Sequence, residues 1–266
     1  MANDFNDKHV LITGGTRGIG KALAIRLATE GAKLTLNYFS RDEDAEQTVT
    51  QITGQGGEAF AVKGDNASPA TTADVVEQAR AHYGPIDMLV TAAGLSIPGS
   101  ADAMSWERWK TTLNVNLDGT FNMIYAVIEE MQRQKFGRIV TFSSIAALRA
   151  RENQIAYSVA KAGVIAMTRC MAEAWARQGI RVNCVCPGLT ETEMAHTLSP
   201  EVHRIIMENT PLGRIGEPEE LASVARFLLS EESSKKYWNL RTVLVTKPER
   251  VVYKATAMPP LIEESK

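Results

Sequence analysis

Tyr157 and Lys161 stand four residues apart in a stretch with helical periodicity, so their side chains share one helix face. An ammonium beside a phenol favours the phenolate and lowers the tyrosine pKa from its ordinary value of about 10. Bringing that phenol close to neutrality requires about 4 kcal/mol of differential stabilisation, within reach of Lys161 and a second cationic neighbour. Tyr157 could then pass its proton to a carbonyl oxygen. The same spacing also fits an ordinary surface pair. Ser143 and Ser144 follow the apolar run Arg138–Phe142. A hydroxyl at the carboxyl end of a strand can hydrogen-bond a substrate oxygen as charge develops, although turn chemistry alone also explains it. Asn116 falls inside a helical pattern that it does not favour; solvent exposure is its simplest explanation, and a buried polar contact is the alternative.

A second constellation lies near the N-terminus. The apolar run Val10, Leu11, Ile12 feeds a glycine-rich turn with Gly14, Gly18 and Gly20, and then a helical pattern through Leu23, Ile25 and Leu27. Unpaired N–H groups and the helix dipole at such a helix start attract a phosphate. Glycines admit positive φ and let a pyrophosphate or a facing strand come close. The spacing is G-x-x-x-G-x-G rather than the common G-x-G-x-x-G, and a tight turn without a ligand is the competing explanation.

These residues need a scaffold, and its outline is periodic. After the first strand and helix, Lys33–Asn37, Ala59–Lys63, Ile86–Val90, Arg138–Phe142, Ile180–Val185 and Thr242–Thr246 read as strands. Between them lie helical stretches, including Thr71–Tyr83, a long one from Trp106 to Gln134 capped by Ser105, Ala156–Gln178, and one opened by Pro218. Trp106, Trp109, Phe121, Ile124, Ile128 and Met131 are expected to pack. Such alternation predicts an α/β fold, a three-layer doubly wound parallel sheet of Rossmann type. With 266 residues and no repeat or linker, a single domain over 1–246 followed by a divergent tail, 247–266, is the economical reading.

Composition narrows the class. A formal net charge of −2 with interspersed signs leaves no basic stripe, which argues against nucleic acid and anionic membranes and for a small-molecule ligand. No apolar run approaches the about 18 residues of a membrane helix, and the acidic N-terminus is unlike a signal peptide, so a cytoplasmic location is expected. Cys170, Cys184 and Cys186 read as buried thiols, and no metal site is expected.

Taken together, Thr13-Gly14-x-x-x-Gly18-x-Gly20, Asn116, Ser144 and Tyr157-x-x-x-Lys161 resemble, in order and spacing, the short-chain dehydrogenase/reductase family. Pro187-Gly188 and the run from Thr210 to Leu221 match it too, and the likeness covers about residues 5 to 234. The resemblance implies a nicotinamide-dependent oxidoreductase. Tyr157 would be the general acid or base, Lys161 would lower its pKa and hold the nicotinamide ribose, Ser144 would orient the substrate oxygen, and Asn116 would hold a water linking Lys161 to solvent. The turn residues Gly14, Thr16, Arg17, Gly18, Ile19 and Gly20 would cradle the cofactor. Asp65 and Asn66 would meet the adenine, Ala93 and Gly94 its ribose, and Pro187, Gly188 and Thr190 the carboxamide.

A carboxylate at the end of the second strand would bind the 2′-hydroxyl of NAD and repel a 2′-phosphate; this chain has Asn37 there. Arg17, Ser40 and Arg41 offer donors to a phosphate instead, which favours NADP(H) over NAD(H). Some family features are missing. Ala92 replaces an asparagine, and beyond Ser234 the usual glycine turns are lost, in a region that builds a tetramer interface in relatives. The segment from Glu191 to Asn209, polar and poorly periodic, is the expected substrate lid.

The nearest likeness within the family is to 3-oxoacyl-carrier-protein reductases and bacterial alcohol or sugar dehydrogenases. Glu129 and Glu173 stand where carrier-protein reductases use basic residues, which disfavours an acidic carrier, while Arg149 and Arg151 could still meet an anion. The expected function is therefore NADP(H)-dependent hydride transfer to or from a small ketone or secondary alcohol, in a homo-oligomer (dimer or tetramer). A 3-oxoacyl-thioester reductase is the alternative, and a catalytically retired NADP(H)-binding regulator is the alternative of another class.

Overall fold

The runs rich in Val, Ile, Leu and Thr fold as parallel strands, because a sheet covered on both faces buries such segments most completely. The computed structural model describes residues 4–149, 152–196, 198, 200–208, 210, 212–233 and 243–245. β1 spans His9–Thr13, α1 Gly18–Ala28, β2 Lys33–Tyr38, α2 Asp42–Gly54, β3 Glu58–Lys63, α3 Pro69–Tyr83 and β4 Met88–Thr91. Helix α4, Trp106–Leu113, runs through a π turn at Asn114–Asp118 into α5, Gly119–Gln134. The chain continues with β5 Gly137–Phe142, α6 Ile155–Trp175, β6 Ile180–Pro187, α7 Glu193–His196, α8 Pro200–Glu208, α9 Pro218–Leu229 and β7 Val243–Val245.

Among the described residues the strands lie in the order β3-β2-β1-β4-β5-β6-β7, each pair parallel. This is the doubly wound α/β sheet that the alternation predicts. The order changes direction between β1 and β4, the switch point beyond whose strand ends such sheets bind ligands. Side chains alternate along each strand, so Val10, Ile12, Met88 and Val90 join Leu23 and Leu27 of α1 and Leu221 and Leu228 of α9 in one core. Leu11 and Leu89 point the other way, into a second core with Val75 and Val76 of α3 and Met123, Ile124 and Val127 of α5. Each such side chain contributes about 1.5–3 kcal/mol by burial, which keeps the strand ends rigid enough to carry a site.

Local signals set the helix ends. Ser105 accepts the Arg108 N–H at 3.2 Å, Ser68 accepts the Thr71 N–H at 3.3 Å ahead of Pro69, and Glu217 and Glu220 form a capping box around Pro218.

Several expectations are corrected. The long helix is two helices joined by the π turn. Trp106 is 64% exposed and Phe121 43% exposed, because Phe121 falls at the flank of the arc that Met123, Ile124, Val127 and Ile128 bury. Cys184 and Cys186 are buried, but Cys170 lies on the solvent side of α6. The expected lid is not irregular: it holds α7 and α8. Thr242, Thr246, Arg151, Asn209, Ser234 and the tail 247–266 lie outside the described residues. Among the described residues no helix is long and apolar enough to cross a membrane, and no cluster of His, Cys, Asp or Glu could hold a metal.

Candidate active site

The glycine turn joins β1 to α1 at the switch point. Gly14 and Gly18 take φ of +63° and +49°, conformations that other residues rarely adopt. A Cβ on Gly14 would stand 3.0 Å from the backbone of Ala93, and one on Gly20 would run into the carbonyl of Gly14. The turn is held from outside by Thr48 of α2, whose hydroxyl donates to the Thr16 carbonyl at 3.0 Å, and by the Gly15 N–H, which donates to Asn37 at 3.3 Å. Arg17, at the N-cap of α1, makes no side-chain cap, and the first turn carries no acidic residue. Its positive end is therefore free to receive an anion.

Beyond β4 and β5 the second constellation assembles. Ser143 and Ser144 divide their work. Ser143 is buried and donates to the Lys161 carbonyl at 2.7 Å, tying the end of β5 to α6. Ser144 takes the Ala146 N–H at 3.1 Å and hydrogen-bonds the Tyr157 phenol. Lys161, also buried, donates at 3.0 Å to the Phe142 carbonyl, and its Nζ lies 5.6 Å from the centroid of the Tyr157 ring. Gly94 completes the group: a Cβ there would be 3.0 Å from Asn116 Oδ1 and 3.4 Å from Lys161 Nζ.

Asn116 is fully buried, which overturns the expectation of exposure. Its amide donates to the carbonyls of Leu95 at 2.7 Å and Thr112 at 2.9 Å, and its Oδ1 accepts the Leu95 N–H at 3.2 Å. The residue is a clamp between the π turn and the loop after β4. Its three polar bonds compensate for its poor helix propensity.

The electrostatics differ from the simple tyrosine–lysine argument. Burial pushes the Tyr157 phenol above its ordinary value, with the Ser144 hydrogen bond opposing. Burial holds Lys161 down to about 8, although the thiols of Cys184 and Cys186 on the neighbouring β6 oppose it. The protein alone therefore does not lower the phenol's pKa: burial outweighs the Ser144 hydroxyl, and the lysine charge faces the ring and the Phe142 carbonyl.

The residues assigned to the cofactor by resemblance gather along the same strand ends, with two exceptions. Asn37 is buried, and its amide donates to the Val62 and Gly64 carbonyls at 3.3 and 3.1 Å, so it closes the β2–β3 junction and offers no free donor. The Ile19 side chain packs inward on the first core, leaving only its backbone for a ligand. Ser40 and Arg41 are exposed after β2, and Arg41 takes a left-handed φ of 64° that turns it toward Arg17. Asp65 accepts the Ala67 N–H at 2.9 Å, while Asn66 Oδ1 is buried without a hydrogen-bond partner. Ala93 donates its N–H to the Thr13 hydroxyl at 3.1 Å, which closes the junction that Ala92, packed against the first core, leaves without an amide. Pro187 is buried at the end of β6, and Thr190, its hydroxyl 3.4 Å from the Gly188 carbonyl, pairs with Gly216.

The residues present fit a nicotinamide dinucleotide. The crowding at Gly14 leaves room only for backbone, and Asn66 Oδ1 waits for a donor such as an adenine amine. Two acidic residues went unnoticed in the sequence. Glu193 and Asp44 flank Arg17 and Arg41 beside a cavity of about 150 Å³; Asp44 stands only three residues from Arg41, but no local pattern links either arginine to Glu193.

Comparison with known proteins agrees with this geometry. The family model described as enoyl-(acyl carrier protein) reductase matches residues 14–236. A 3-oxoacyl-(acyl-carrier-protein) reductase of Staphylococcus epidermidis is 34% identical over 239 residues, 90% of this chain and 97% of that protein. The acetoacetyl-CoA reductase of Shinella zoogloeoides is 38% identical over 225 residues, 84% of this chain and 91% of the relative. Among solved structures, levodione reductase superposes with a TM-score of 0.86 at 31% identity, covering 94% of this chain and all of that one, 100%. With this fold, these motifs and these relatives, the chain belongs to the short-chain dehydrogenase/reductase family of oxidoreductases.

Proposed function

We propose that the protein is an NADP(H)-dependent oxidoreductase that interconverts a ketone and a secondary alcohol, with Tyr157 as the general acid or base. The observation that carries this reading is the convergence of Tyr157, Ser144 and Lys161 at the end of β5, with only β4 between it and the strand that leads to the glycine cradle, whose mouth holds Arg17 and Arg41. A bound nicotinamide supplies or accepts the hydride. The chain does the rest. Ser144 fixes the substrate oxygen, Tyr157 gives it a proton in reduction and takes one in oxidation, and Lys161 holds positive charge beside the phenol. Asn116 keeps the loop after β4 in place and, by family analogy, holds the water that links Lys161 to solvent.

The choice of NADP(H) rests on the two guanidiniums and on the exposed Ser40, in a chain with no carboxylate at Asn37 or Tyr38. Phe121 and Tyr125 stack at 5.6 Å on the outer face of α5, a surface that suits a homo-oligomer.

A second reading has its own support. Two of the relatives are named as a 3-oxoacyl-(acyl-carrier-protein) reductase and an acetoacetyl-CoA reductase, which favours a thioester-linked ketone as substrate. Glu129 and Glu173 are exposed, and an acidic carrier protein meets repulsion there; a coenzyme A thioester does not depend on those helix positions. The test is a panel of acetoacetyl-CoA, 3-oxoacyl carrier protein, simple ketones and sugars with NADPH and NADH. Turnover with NADPH that disappears in Tyr157→Phe is expected. No turnover on any carbonyl despite tight NADPH binding would instead favour a retired, regulatory member.

A further inference from the structure

The two arginines at the mouth of the glycine cradle already hold an anion. Glu193 Oε2 lies 2.6 Å from Arg17 and 2.8 Å from Arg41, so one carboxylate oxygen bridges both guanidiniums. Asp44 is a poorer partner. Its Oδ2 stays 3.8 and 3.7 Å from the same arginines and makes no hydrogen bond, although it is buried. Arg41 meets the cluster from a left-handed backbone, a conformation that residues with a Cβ rarely adopt. The acid that closes the pair comes from a different part of the fold, the first residue of α7, and its neighbour Thr192 lies against Gly18 of the turn.

We infer that Glu193 is an internal anion that competes with the cofactor's 2′-phosphate for Arg17 and Arg41, and thereby sets the preference between phosphorylated and unphosphorylated nucleotide. The inference rests on the NADP(H) reading. A phosphate presents three acceptor oxygens and close to two negative charges, against one bridging oxygen from Glu193. The carboxylate is half exposed and therefore held weakly enough to be exchanged. Its departure also removes the ion pair that pins the start of α7 on the glycine turn. Phosphate arrival at one end of the cofactor groove is thus linked to release of the segment after β6.

The test uses calorimetric titration of the full chain with adenosine 2′,5′-bisphosphate and with 5′-AMP, which lacks the 2′-phosphate. Glu193→Gln keeps the side chain's shape at an exposed position and is expected to fold normally. It should bind the bisphosphate about three- to ten-fold more tightly than wild type, with 5′-AMP unchanged. In wild type, saturating bisphosphate should speed amide exchange over 191–196, while 5′-AMP should not. Equal or weaker bisphosphate binding in Glu193→Gln, in a wild type that does prefer the bisphosphate over 5′-AMP, overturns the competition and leaves the NADP(H) reading standing. If wild type, Glu193→Gln and Arg17→Ala all bind the two ligands equally, the NADP(H) reading itself fails and takes the competition with it.

Discussion

Lys161 holds its ammonium 5.6 Å from the centroid of the Tyr157 ring while donating at 3.0 Å to the carbonyl of Phe142. Its charge is placed over the ring, and burial keeps the phenol protonated above its usual range. A protonated phenol is the form needed to reduce a ketone, whereas oxidising an alcohol needs the phenolate. Reduction is therefore expected to change little across neutral pH, and alcohol oxidation to rise above about pH 7 and then flatten as the Lys161 ammonium, its pKa held down to about 8, is lost. Paired pH profiles of kcat in the two directions check this; an oxidation rate that peaks at neutrality would contradict it. Tyr157→Phe should lower kcat about 10²- to 10⁴-fold in both directions.

Ser143→Ala and Ser144→Ala should separate stability from chemistry. Ser143 donates from a buried position to the Lys161 carbonyl, and its loss is expected to cost about 1 kcal/mol of stability. Ser144→Ala should leave the thermal midpoint nearly unchanged and reduce turnover. Denaturant melts and initial rates on both variants give the comparison. A Ser144→Ala enzyme with full activity would remove Ser144 from the mechanism.

Glycine substitutions should report where the backbone is crowded. Alanine at Gly20 meets the Gly14 carbonyl, and the cost expected for such overpacking is about 1–3 kcal/mol, together with lost nucleotide binding. Alanine at Gly94 presses on Asn116 Oδ1, the atom that accepts the Leu95 N–H, and comes into contact with Lys161 Nζ. Its effect should fall on kcat more than on the melting temperature.

His9 makes folding stability depend on pH far from the active site. Its Nδ1 contacts the Gly84 carbonyl at 2.9 Å, an acceptor only, so Nδ1 carries the proton and Nε2 accepts from the Thr35 hydroxyl at 2.8 Å. Burial lowers its pKa below the ordinary 6.5, against the backbone hydrogen bond to Gly84. The unfolded chain then binds the proton more readily than the folded one. The stability from a neutral His9 is complete above pH 6.5 and declines as pH falls below it. Urea titrations between about pH 8 and about pH 5.5 should show that slope, and His9→Gln should flatten it while lowering stability overall.

Much of the fold was legible because its signals are local. Each strand run, the glycine turn, Ser105 as a cap and Pro218 as a helix opener depend on neighbours within a few positions. Tyr157 and Lys161 could be paired because a helix brings residues four apart onto one face. The hidden features depend on distant partners. Asn116 reads as exposed until Leu95 and Thr112 are seen to take its amide, and Asn37 reads as a ligand-facing residue until Val62 of β3 and Gly64 just beyond it supply two carbonyls. The bridge from Glu193 to Arg17 and Arg41 joins three segments of the chain and leaves no trace in the spacing of any one of them.

The π turn at Asn114–Asp118 has a consequence for how this protein can change. One residue more than an α-helix needs is accommodated there; wound into regular α-helix, that residue would rotate the downstream segment by about 100°. Upstream, α4 buries Thr112; downstream, α5 turns Met123, Ile124 and Val127 onto the sheet. Winding these residues as regular α-helix, with none removed, would swing the apolar arc of α5 off the sheet and pull Asn116 away from Leu95. Drift toward a more regular helix is thus barred twice over, by the hydrophobic core and by the loop beside Lys161. The irregularity sets the phase between α4 and α5: one wide turn takes up the extra residue, so the apolar arc meets the sheet and Asn116 meets the loop after β4.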